Sequence, residues 1–162
     1  MVVVIVEILV LCLLFTLAVC AMAKNPIATL YNYPPKIQER VKSLEKYKDK
    51  IPTTKNKITV KLLACLVIII IISLILRYVN GYTTFAESSK MGFIIWTIVN
   101  AYDAIVMDII WFCHDKRFIF EGTEDMIDEY HNYWFHIKGS FIGELIGIVL
   151  CTIIGLVVQF IL

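Results

Sequence analysis

Apolar residues in this chain gather into four long runs, separated by stretches where charges dominate. Val2 to Ala23 is apolar except for Glu7 and Thr16, and Leu62 to Val79 carries one charge, Arg77. Gly92 to Cys113 is apolar around Asn100, Asp103 and Asp108, and Gly139 to Leu162 holds Glu144 and Gln159. About 20 apolar residues cover the ~30 Å hydrocarbon core as an α-helix, so each run has roughly the length of a span. A membrane strand needs only about 10 residues and alternates polar with apolar, which the run Leu66–Ile72 does not do. The pattern predicts an all-α membrane protein, a four-helix bundle with transmembrane helices at 2–23, 62–79, 92–113 and 139–162. A single integral membrane domain then covers 1–162. The third span is the least apolar, because two aspartates cost several kcal/mol on insertion scales. It has the right length, and without it the number of crossings would be odd.

The polar stretches carry periodicity of their own. In loop 24–61, Pro34-Pro35 precedes Ile37, Val41, Leu44 and Ile51, with charges between them and Pro52 closing the pattern. This predicts a short amphipathic helix with proline in its first turn. In loop 114–138, Thr123 is placed as an N-cap before Glu124 and Asp125. Met126, Ile127, Tyr130, Tyr133 and Trp134 would then share one helical face, with Glu124, Asp128 and His131 opposite. Both segments read as cytoplasmic interfacial helices lying on the membrane surface.

Charge orients the spans. Thirteen of the fifteen lysines and arginines fall in 24–61 and 113–138. The positive-inside bias places both loops in the cytoplasm and both termini outside, as in a multi-pass protein of the cell membrane. The chain is 59% apolar and 18% charged, far from the balance of a soluble domain. A net charge of +1 gives no support to a nucleic-acid partner. Ala21-Met22-Ala23 has the form of a signal-peptide cleavage site, and Leu17-Ala18-Val19-Cys20 that of a lipoprotein box. A basic leader is missing, the apolar run is too long, and Val19 stands where a small residue belongs, so a retained span is expected. Five scattered cysteines without C-x-x-C spacing read as small packing residues.

Candidate chemistry rests on acids at membrane depth, which turn toward neighbouring helices or a wet cavity. These are Glu7, Asp103, Asp108 and Glu144. On an α-helix Asp103 and Asp108 lie about 140° apart, so they are expected to meet different neighbours. Asp108 and Glu144 share a depth close to the cytoplasmic border, where His114 and His136 also fall. Asp103, Asp108, Glu144, His114 and His136 therefore form a candidate intramembrane polar cluster, suited to protons, a cation or a divalent metal. The alternative is that they pair with one another and with backbone groups to fix the helices. Glu124, Asp128 and His131 match no recognised ligand motif, so metal and cofactor are both unknown from the sequence. Nucleotide-binding and hydrolase motifs are absent.

The fourth span carries a stripe of small residues, Gly139, Gly143, Gly147, Cys151 and Gly155, continued by Gln159. Such a stripe lets a second helix approach closely. Its partner is an internal span, another copy in a homo-oligomer, or a different membrane protein; the bilayer itself is the remaining partner.

The stretches Asn32 to Gln38 and Asp108 to Gly143, especially Trp111-Phe112-Cys113-His114 and Gly122-Thr123-Glu124-Asp125, resemble a group of small, uncharacterised bacterial integral membrane proteins. That resemblance covers about a third of the chain and implies no activity. Three functions are consistent with the sequence. The first is a non-enzymatic accessory, assembly or interaction protein, and the second an oligomeric transporter or channel for protons or cations. The third is a membrane enzyme using Asp108, His114, His136 and Glu144 on a lipid-soluble substrate.

Overall fold

The structure, a computed structural model, describes residues 2–52 and 54–162, without the side chains of 54–57. Lys55 and Lys57, two of the loop cations, thus lie outside the described side chains. The protein is all-α, with no strand among the described residues. Four helices are long and apolar enough to cross a membrane. They are α1 (Val2–Met22), α3 (Thr54–Leu74), α4 (Phe85–Tyr102) and α6 (Tyr133–Phe160). Two shorter helices, α2 (Pro35–Ser43) and α5 (Ile127–Tyr130), lie in the long connections.

α3 and α4 do not end where their α-geometry ends. α3 runs on as a π-helical turn over Ile75–Val79, and α4 as a longer π-helical segment over Asp103–Phe112. α4 and α6 also begin earlier than their apolar runs. Thr84 caps α4 by accepting a hydrogen bond from Glu87 N at 3.4 Å, and Asn132 caps α6 by accepting one from Phe135 N at 3.2 Å. Polar first turns are therefore folded into the helices, and α6 reaches about 42 Å at 1.5 Å per residue.

The small-residue stripe of α6 is occupied from within the chain. A Cβ built on Gly147 would sit 2.2 Å from Trp96 Nε1, and one on Gly155 only 2.0 Å from Ser89 Oγ. At Gly143 the nearest atom would be Asn100 Oδ1, 2.8 Å away, whereas Gly139 faces open space. The helix seated in the stripe is thus α4, and Trp96 Nε1 donates to Gly143 O at 3.1 Å across that seam. Gln159 closes the far end, its Oε1 accepting from Phe85 N at 2.7 Å. A buried cluster of Ile72, Leu76, Ile95, Ile154 and Val158 joins α3 to the pair. Helix α1 buries no residue. It is tied on by Thr16, which shares a 2.7 Å hydrogen bond with the Tyr102 hydroxyl, and by Glu7, which accepts from Asn80 Nδ2 at 3.2 Å.

The two long connections fold together at one end of these helices. Ala23, Ile27, Leu30, Tyr33, Ile37 and Val41 of the first meet Phe118, Phe120 and Tyr130 of the second in one buried cluster. The apolar face of α2, Ile37 and Val41, is thus packed against the other connection. The periodicity also breaks earlier than expected, since Leu44 is extended and a 3-10 segment, Glu45–Lys50, follows it. Leu44 packs instead on Gly122, whose φ of +89° permits the turn there. We call this layer the cap.

The second connection is corrected as well. Thr123 makes no N-cap bond; it is fully buried, donating to Phe120 O at 2.7 Å and pairing with the Tyr130 hydroxyl at 2.7 Å. The chain breaks at His131, so Tyr133 and Trp134 belong to α6 and not to a surface helix.

Candidate functional site

The π-helical segment decides the geometry of the acids. On an α-helix residues five apart diverge, but i→i+5 bonding places them nearly above one another. The bond from Cys113 N to Asp108 O, at 3.0 Å, is of this kind. Asp103 and Asp108 are therefore brought toward one face, and Asp103 lies within electrostatic range of both Asp108 and His136. The expected separation of about 140° assumed α-geometry throughout, which the π-helical segment replaces here. Asp108 Oδ2 meets His136 Nδ1 at 3.0 Å, so the junction of the third and fourth spans holds two carboxylates and one imidazole.

His136 is enclosed there. Its side chain is 4% exposed, with the rings of Phe112 and Phe135 at centroid distances of 5.2 and 5.3 Å. Its Nε2 is buried and has no hydrogen-bond partner among the described residues. Asp103 makes no side-chain hydrogen bond among the described residues. No lysine or arginine pairs with either aspartate among those residues.

The other members of the predicted cluster stand apart. Glu144 accepts from Asn100 Nδ2 at 2.8 Å and from Thr97 Oγ1 at 3.1 Å, clamping α6 to α4. Asn100 Nδ2 also donates to Ser140 O at 3.1 Å, adding a backbone contact to this clamp. His114 belongs to the cap border. Its Nδ1 lies 3.0 Å from Ile109 O and its Nε2 3.3 Å from the Tyr133 hydroxyl, while its ring stacks on His131 at 5.1 Å. The five candidate residues are thus divided among three contacts. Among the described residues no three of His, Cys, Asp and Glu converge as a metal site requires.

Between the four long helices lies a cavity of about 240 Å³, walled by Leu11, Phe15, Ile72, Ile95, Trp96 and Cys151 among others. None of the five polar candidates lines it.

The cap is held by charge as well as by its core. Arg40 pairs with Asp125 at 2.8 Å, Lys46 with Glu121 at 2.7 Å, and Lys36 with Glu129. Hydrogen bonding to Lys46 lowers the Glu121 carboxyl below its usual range. Asp115 is lowered more strongly, chiefly by its hydrogen bonds from Arg117. In the cap core, burial raises the Tyr33 hydroxyl, with Tyr130 adding to the effect, and burial raises Tyr130 too. Sequence reasoning missed Tyr33 and Tyr130 as the centre of this layer. The run Tyr31-Asn32-Tyr33-Pro34 offered an aromatic signal but no periodicity to place it.

The chain matches no known family model, no curated protein and no solved structure.

Proposed function

We propose that this protein is a non-enzymatic accessory or interaction protein of the cell membrane. In this reading the four long helices form a four-helix bundle with both termini outside. The cap lies in the cytoplasm and is the surface offered to a partner. The observation that carries it is the contrast between a cap with its own core and ion pairs and a membrane region whose cavity between the long helices is apolar. An enzyme acting through Asp108, His114, His136 and Glu144 would need those four together, and they sit in three separate contacts.

Reconstitution into liposomes tests this. The protein should give no proton or cation flux above protein-free vesicles, and Glu144→Gln should lower thermal stability while leaving flux at that baseline. Flux that Glu144→Gln abolishes in a folded protein would replace this reading with a transporter. A second reading, proton or cation handling, is favoured by one observation: the uncompensated acids beside the enclosed imidazole of His136.

A further inference from the structure

We propose that Asp103, Asp108 and His136 act as one proton-binding site where the π-helical segment of the third span meets α6, with the imidazole enclosed and Asp108 partly exposed. This rests on the second reading above, proton handling, and is independent of the interaction role.

The argument starts from charge. Two ionised carboxylates and a neutral imidazole carry two negative charges, and among the described residues no lysine or arginine pairs with either acid. Isolated charges are expensive at membrane depth, and an uncompensated pair of like sign more so. Two protons spread over the three groups bring the site to zero. The other titratable side chains at this junction do not supply the missing charge. Cys113 is a buried thiol that feels Asp108, and the Tyr102 hydroxyl is engaged with Thr16 of α1. On α6, Glu144 is held by Asn100 and Thr97.

Geometry then says how the proton is shared. The hydrogen bond between Asp108 Oδ2 and His136 Nδ1, at 3.0 Å, couples one acid to the base. The opposite nitrogen, Nε2, is buried and unpartnered, so the imidazole is not consumed by structural bonds on both sides. A histidine serving only as a strut would be expected to use both nitrogens. Interacting groups of this kind titrate as a unit, and the unit rather than any one residue owns the proton. The π-geometry is what makes the unit, since it brings the two acids toward one face. Protons enter from water and return to it, with no other reactant.

The test is infrared spectroscopy of the protein in liposomes, titrated from about pH 5 to about pH 8, with ¹³C at the aspartate carboxyl carbons. The expected result is a protonated-carboxyl band that shifts on ¹³C-aspartate labelling, fades as pH rises and is lost in Asp103→Asn. His136→Gln should displace the midpoint of that band by at least tenfold in proton affinity, which loss of a mere strut would not do. Absence of any label-sensitive carboxylic acid band across the range overturns the proposal. So does a band that persists unchanged in Asp103→Asn and Asp108→Asn. The labelled wild-type measurement stands even if a variant fails to fold.

Discussion

Leu30 and Leu13 are the same side chain placed in opposite surroundings. Leu30 lies in the cap and is 0% exposed, while Leu13 lies in α1 and is 59% exposed. The cap is built as soluble proteins are, with leucine, isoleucine and aromatic rings inside and charges outside. The membrane region turns this around. Its apolar side chains face outward along whole helices, and its interior is organised by small residues and a few polar clamps. In the cap the hydrophobic effect drives burial. Between spans it is nearly silent, because lipid is as apolar as leucine, and close packing and interhelical hydrogen bonds do the holding.

The sharpest way to break this contrast is a matched pair of truncations. Leu30→Ala should destabilise the protein by about 3 kcal/mol, within the range for buried leucines. Leu13→Ala should cost about 0.5 kcal/mol or less, since no protein cavity opens in lipid. Denaturant unfolding in mild detergent reads both, and equal losses would end the distinction. Next come the glycines. Gly147→Ala should cost about 2 kcal/mol, because its methyl would collide with Trp96. Gly139→Ala, with nothing within 4 Å, should be neutral or slightly stabilising by helix propensity.

These glycines also show what the sequence disclosed. The four apolar runs and the stripe were legible because helix length and four-residue spacing are written in single positions. Which helix fills the stripe was not legible, since Trp96 and Asn100 carry no mark of their partner. Nor was the π-helical segment, because nothing in the residues from Asp103 to Phe112 distinguishes π-geometry from α-geometry. The apolar face of α2 was readable from Ile37 and Val41, but amphipathicity alone does not say whether it meets a membrane or another loop. Here the deciding residues, Phe118, Phe120 and Tyr130, lie some eighty positions away.

A smaller effect separates the regions by pH. Tyr33 and Tyr130 hold their protons more tightly folded than unfolded. The stability this represents is full below the ordinary tyrosine value near ~10 and is lost as pH rises above it. Alkaline titration should therefore open the cap, seen as tyrosinate absorbance, while the helices at membrane depth keep their far-ultraviolet signal. Tyr33→Phe should be neutral at pH 7, because the buried Tyr33 hydroxyl has no partner among the described residues. The smallest effect is that of the surface ion pairs. Arg40→Gln should cost at most ~1 kcal/mol and less in high salt. A larger or salt-insensitive loss would mean that the cap depends on charge more than on its core.

The π-helical segment has a consequence for how this chain tolerates changes in its length. A π-turn behaves as an α-helix that has taken in an additional residue, so Asp103–Phe112 holds slack that the rest of the span lacks. Deleting an outward-facing residue there, such as Ile110, should be absorbed by tightening toward α-geometry. The same deletion within Phe85–Tyr102 would rotate Trp96 or Asn100 away from α6. The stretch that gathers the acids is thus also where the span can lose a residue and still cross.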